Sequence, residues 1–149
     1  MYLIDTSAWL NIDRRPDSEA CWNVIYKLIK DKRIVICRRV LKELKGGDLF
    51  HERLLGHEDA LTESDRDNPG DVEYLMAVGR VVHRFPGMSR ARGEKTPADP
   101  YVVALAWLEN WTVVVDETKT NRPNRKIPGA CDILGVKWVP LAKFIADET

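Results

Sequence analysis

The sequence predicts an α/β protein of three layers, α/β/α, with a central, mainly parallel sheet. Three observations predict it. Short apolar runs recur at Tyr2 to Ile4, Ile34 to Cys37, Thr112 to Val115 and Val136 to Val139. Unbroken runs of this kind belong to strands covered on both faces. Segments of helical period separate them, as where Trp22, Ile25, Leu28 and Ile29 fall on one face. Strands that alternate with helices pair in parallel, and right-handed crossovers leave every strand's carboxyl end on one side.

The elements follow in order. The first strand, Tyr2 to Ile4, leads to a short helix from Ser7 to about Ile12, stopped before Pro16. Asp17 or Ser18 can cap the next helix, which runs to about Lys30. After the second strand, Arg38 to Lys45 reads as a helix ended by Gly46-Gly47. Two helices are expected at about Asp48 to Leu55 and Asp71 to Arg84, with Thr62 to Gly70 as the turn between them. Phe85 to Thr96 reads as a loop with Pro86-Gly87. Asp99-Pro100 has the form of an acidic cap followed by Pro at the first helical position, opening a helix to about Asn110. The third strand ends at Asp116, and Glu117 to Arg125 is a polar loop. A helix near Pro128 to Leu134 closes at Gly135, before the last strand and a final helix from Pro140 to Asp147.

The 149 residues suit one domain, 1–149, with a helical excursion at about 48–95. A charged fraction of 31% beside 44% hydrophobic residues is that of a folded globule. Formal net charge is zero, so any polyanion site depends on a local group of cations. Cys21, Cys37 and Cys131 show neither a CxxC pair nor zinc spacing, and read as buried, reduced thiols of a cytoplasmic protein. The opening Met-Tyr-Leu-Ile-Asp has no signal-peptide pattern, and no stretch approaches the ~20 apolar residues of a membrane span. The tryptophans read as packing residues, and His51, His57 and His83 show no metal-ligand spacing.

Four carboxylates stand out. Asp5 and Asp116 each end a strand, so in a parallel sheet both lie at its carboxyl edge, where open α/β sheets bind ligands. Asp5 can equally cap the helix that follows. Glu43 shares a helical face with apolar Val40, which would turn it toward the domain, but by itself it reads first as a solvated acid on a charged helix with Arg38, Arg39, Lys42 and Lys45. Asp99 opens the helix after the polar segment. Clustered carboxylates repel, and a hard divalent cation relieves that repulsion; Mg²⁺ is held by a few carboxylates plus waters and substrate phosphates. Arg90, Arg92 and Lys95, then Lys119, Arg122 and Lys126, flank two of the acids in sequence and could grip phosphates.

The residues Tyr2-Leu3-Ile4-Asp5-Thr6-Ser7-Ala8, Val40-x-x-Glu43, Ala98-Asp99-Pro100-Tyr101-Val102-Val103-Ala104-Leu105-Ala106 and Val113-Val114-Val115-Asp116 together resemble a PIN domain. That is the nuclease fold of many toxin–antitoxin ribonucleases. The resemblance runs nearly end to end, with the four acids in the right order. It implies that Asp5, Glu43, Asp99 and Asp116 form an acidic pocket for one or two Mg²⁺ or Mn²⁺ ions. It further implies that Ser7 neighbours the substrate and that RNA is cut to a 3′-hydroxyl and a 5′-phosphate. A small antitoxin partner and frequent homodimers are implied as well. The expected function is therefore a metal-dependent endoribonuclease that hydrolyses RNA phosphodiesters. A non-catalytic PIN-like interaction module is the alternative from another class. Another Mg²⁺-dependent phosphate hydrolase ranks third, since Asp5-Thr6-Ser7 lacks the Asp-x-Asp of a haloacid-dehalogenase-type phosphatase.

Overall fold

The computed structural model describes residues 1–44, 53, 62–89, 97–116 and 127–149. Among the described residues, five strands form one sheet: β1 (Tyr2–Ile4), β2 (Ile34–Ile36), β3 (Thr62–Glu63), β4 (Thr112–Val115) and β5 (Trp138–Pro140). Their spatial order is β3-β2-β1-β4-β5, and every pairing is parallel. The described helices are α1 (Thr6–Ile12), α2 (Ser18–Lys30), α3 (Arg38–Leu44), α4 (Val72–Arg84), α5 (Asp99–Glu109), α6 (Ile127–Leu134) and α7 (Leu141–Glu148). The fold is the expected three-layer α/β/α arrangement. The chain runs outward from β1 through β2 to β3, then returns to add β4 and β5 on the other side. The strand order thus reverses between β1 and β4.

The central strands are apolar because both faces are covered. Leu3 and Ile4 of β1, all of β2, and Val113, Val114 and Val115 of β4 are buried in one core with Trp9, Trp22, Val103 and Phe144. None of the three cysteines is in a disulfide, and all three are buried in that core. Burial pushes the Cys37 thiol up to about 12, with the Asp67 charge adding to the shift. Among the described residues, no helix is long and apolar enough to cross a membrane.

Three helices hand over to strands through the same device. Lys32, Asn110 and Gly135 adopt positive φ angles of 56°, 57° and 73° after α2, α5 and α6. The next residue's N–H then reaches back to the final turn, as Arg33 to the Leu28 carbonyl, Trp111 to Ala106 and Val136 to Cys131. These are Schellman closures, which satisfy carbonyls that the helix end would leave open. Val136 is committed to this closure, so β5 begins at Trp138, later than the apolar run suggests.

The structure departs from expectation in three further places. The turn expected from Thr62 to Gly70 begins with a strand, β3, whose two residues carry too little pattern to be read from sequence. Asp17 caps α2 in position only, because its carboxylate is engaged by Arg15 Nε at 2.8 Å. The cap of α5 is Ala98, and Asp99 and Pro100 both lie inside the first turn. The helix expected at about 48–55 lies outside the described residues, apart from Arg53.

At the amino edge of the sheet, α7 is latched to β1 and to the turn before β2. The Tyr2 hydroxyl donates to Glu148 Oε1 at 2.6 Å, and Arg33 meets both carboxylate oxygens at 2.9 Å. The Tyr2 hydrogen bond, followed by the Arg33 guanidinium, holds the Glu148 carboxyl below its ordinary value. A lowered folded pKa means that the stabilisation is complete above the unfolded value of about 4.3 and is lost as pH falls through the folded value. Glu148→Gln should cost about 1 kcal/mol at pH 7 in urea unfolding, with the difference from wild type shrinking below about pH 4. A difference that stays constant down to pH 3 would contradict the latch.

Candidate functional site

Asp5 sits directly after β1 and is 1% exposed. Its backbone N–H extends the sheet ladder by donating to the Val114 carbonyl at 2.9 Å. Its side chain caps α1: Oδ2 accepts from the Ser7 N–H at 3.3 Å and from the Ser7 hydroxyl at 3.0 Å. Asp116 sits directly after β4, one strand away, with an exposed side chain. Its backbone N–H donates to Ser7 Oγ at 3.2 Å. A short chain of hydrogen bonds therefore runs from the Asp116 backbone through the Ser7 hydroxyl to the Asp5 carboxylate. The same contacts fix the Ser7 rotamer, because the hydroxyl both accepts and donates.

Glu43 arrives from α3. The burial of Val40 and Leu44 turns its side of the helix inward. Its Oε2 accepts from the Thr6 hydroxyl at 2.6 Å, and its Oε1 accepts from the Ala98 N–H at 2.7 Å. Thr6 opens α1 and Ala98 caps α5. In a capping box, a Glu of the same helix reaches back to the cap N–H. Here a Glu of another helix makes that contact, so the N–H of the cap residue is satisfied from outside the helix. Asp99, in the next position, is partly exposed at the start of α5.

The acid positions 5, 43, 99 and 116 are thus tied together by strand ends and by Glu43. Among the described residues, no three His, Cys, Asp or Glu side chains form a group that could hold a metal ion. The donor chemistry nonetheless suits a hard cation. Mg²⁺ keeps several waters and uses one or two protein carboxylates with substrate phosphates, not a closed protein cage. Asp5 and Asp116, on adjacent strand ends, meet that modest requirement in number and type. Glu43 fits a bracing role better, since both of its oxygens already accept short hydrogen bonds.

The expected phosphate-binding residues Arg90, Arg92, Lys95, Lys119 and Arg122, with Lys126, lie outside the described residues. Described cations do stand at this edge. Helix α3 starts where β2 ends, which brings Arg38 and Arg39 there. The Arg39 guanidinium lies over the Tyr101 ring of α5, 4.3 Å from its centroid, and this cation–π contact fixes it between the two helices. Asp67 is a further residue that sequence reading missed. It is buried, and its Oδ2 accepts from the Arg38 N–H at 2.7 Å, capping α3 from the turn after β3. Its one signal was its place beside Asn68-Pro69-Gly70, which reads equally well as an exposed turn. Asp132 accepts from Trp138 Nε1 at 2.7 Å and thereby ties α6 to β5.

The family model described as a domain of unknown function, DUF4411, matches residues 2–149. The chain belongs to the DUF4411 family. No curated protein matches it. The match spans β1 to α7, so in this DUF4411 chain the acid edge, the Glu43 brace and the Glu148 latch all fall within the family region.

The brace and the exposed acid should behave differently when neutralised. Glu43→Ala leaves two donors without their acceptor, one of them at the α5 cap, and should lower unfolding free energy by about 2–3 kcal/mol. Asp116→Asn alters an exposed side chain and should stay within about 0.5 kcal/mol of wild type. Urea unfolding followed by circular dichroism measures both; equal effects would contradict the division of roles.

Proposed function

We propose that this DUF4411 domain is a metal-dependent endoribonuclease of the PIN type. Asp5 and Asp116 would be its metal-holding carboxylates, with Asp99 at the start of α5 beside the edge and Glu43 the residue that braces it. One observation carries the reading. Asp5 and Asp116 end the two strands that flank the reversal of strand order. Open parallel sheets bind their ligands in that crevice. Two acids there, one buried and one exposed, offer charged oxygen to a cation where substrate can also reach.

The residues divide the work. Asp5 is held by the Ser7 backbone and hydroxyl, so its carboxylate enters the reaction without reorganising. The Ser7 hydroxyl links it to the β4 end and keeps the two strand termini in register. Glu43 sets the start of α5, and with it Asp99, relative to α1. Arg39, stacked on Tyr101, would hold a phosphate of the RNA backbone beside the acids. A bound Mg²⁺ or Mn²⁺ would supply Lewis-acid stabilisation of charge on the phosphate oxygens and activate the attacking water. The PIN resemblance supports the further reading of a cytoplasmic toxin with a small antitoxin partner.

A second reading is favoured by one observation. Both oxygens of Glu43 and one of Asp5 serve structural hydrogen bonds, as they would in a non-catalytic interaction module. Asp116→Asn separates the two readings, because the exposed side chain can lose its charge without loss of fold. With Mg²⁺ or Mn²⁺ present, the variant should cleave single-stranded RNA at least about a hundredfold more slowly, roughly 2.7 kcal/mol of transition-state stabilisation. Wild-type protein that cleaves no RNA with either metal, or a variant that matches the wild-type rate, would leave the interaction module as the better account.

A further inference from the structure

Helix α4 turns Met76, Gly79, Arg80, His83 and Arg84 to one side, at helical spacings of three and four residues. They line a groove of about 770 Å³ together with Trp107, near the end of α5, and Leu134, at the end of α6. Two kinds of chemistry meet there. Trp107 is 37% exposed, so it departs from the packing role expected of the tryptophans. Arg80, His83 and Arg84 are exposed as well. Among the described residues, neither Arg80 nor Arg84 makes an ion pair. Glu73 shares a smaller recess with Arg80 and Trp107, but Arg66 holds its carboxylate at 2.6 Å. The groove is therefore basic as well as apolar.

Such a groove suits a ligand that has flat apolar parts and repeated negative charge. A single strand of nucleic acid has both: its bases stack on aromatic side chains while cations follow its backbone. An acidic amphipathic helix has them too, and size decides between the two. A helix with its side chains is about 11 Å across, so about one and a half turns of it would fill the groove. An extended strand is slimmer and needs no such width. Gly79 helps it, since a Cβ there would meet nothing within 4 Å. The missing side chain relieves no contact in the fold and leaves the groove open beside Met76.

The groove also stands at a useful distance from the acids. Asp99 and Trp107 belong to one helix, α5, and lie about 12 Å apart along its axis at 1.5 Å per residue. At roughly 3.4 Å per nucleotide in a stacked strand, about three or four nucleotides cover that distance.

We propose that the groove between α4 and Trp107 is a second RNA-binding site, which takes a single-stranded segment a few nucleotides from the bond to be cut. A base lies on the Trp107 indole, and Arg80 and Arg84 hold phosphates. The inference takes its ligand class from the endoribonuclease reading and adds a site whose lining includes none of the four acids. It also makes Trp107 the residue that selects single strand over duplex, because a base stacked in a duplex has no face to offer the indole.

Fluorescence anisotropy of a labelled single-stranded RNA of about ten nucleotides tests it, with EDTA present so that nothing is cleaved. Without metal the acid edge repels RNA, so the groove's share of the binding stands out. Wild type should bind saturably at low salt. Trp107→Ala should weaken binding about tenfold. Arg80→Gln combined with Arg84→Gln should do the same and reduce the slope of log affinity against log salt by about 1.4. The substituted side chains are exposed, so the far-ultraviolet circular dichroism of both variants should match wild type. A duplex of the same sequence should bind more weakly and be indifferent to Trp107→Ala, and Asp116→Asn should bind the single strand as wild type does. Single-stranded RNA held equally by wild type, Trp107→Ala and the arginine variant overturns the groove and leaves the nuclease reading standing. Trp107-dependent binding by a chain that cleaves nothing with Mg²⁺ or Mn²⁺ supports the groove and removes the nuclease reading. A wild-type chain that binds no single-stranded RNA overturns the proposal. So does a polyglutamate peptide bound with the same dependence on Trp107, which would give the groove to an acidic protein segment.

Discussion

A carboxylate that accepts hydrogen bonds from two helices fixes their relative position with a directionality that apolar packing lacks. Glu43 does this for α1 and α5. The two bonds are short and charge-assisted, so each is about twice as strong as a neutral one. The consequences spread along the chain. Thr6 follows Asp5, and Ala98 precedes Asp99, so one side chain sets the backbone beside two of the four acids. The Ser7 hydroxyl brings in the third by joining Asp5 to the end of β4. Upstream, the position of Glu43 rests on α3, whose first turn is capped by buried Asp67. An apolar sheet thus supplies a rigid edge, and a handful of polar contacts between elements give that edge its geometry.

Much of this was legible from the residues. Apolar runs with helical segments between them gave the layers, and Asp5 and Asp116 could be placed at a common sheet edge because parallel strands share a direction. What escaped reading has physical causes. The two-residue strand β3 is held by pairing to β2, a tertiary fact with almost no local pattern. The cap of α5 is Ala98, whose N–H is met by Glu43, 55 residues away in sequence, a contact that no local pattern announces. Asp67 is indistinguishable from a turn acid until α3 is docked against it. Local signals reveal caps that a helix makes for itself, and they are silent on caps supplied by another element.

Glu43 also shows how an acid in the expected place can carry structural hydrogen bonds between helices. The resemblance implied a member of an acidic pocket. The structure gives that residue two structural partners, which fits a brace more readily than an open ligand.

The proposed cation site at the reversal of strand order rests on the strand-end carboxylates Asp5 and Asp116. Manganese binding measured by the electron paramagnetic resonance signal of free Mn²⁺ tests it without reference to any substrate. Saturable binding of one or two ions to the wild-type chain is expected, competed by Mg²⁺ and weakened at least about tenfold in both Asp5→Asn and Asp116→Asn. Free Mn²⁺ that rises in step with total Mn²⁺ in the presence of wild-type protein, or binding that both substitutions leave unchanged, would contradict it.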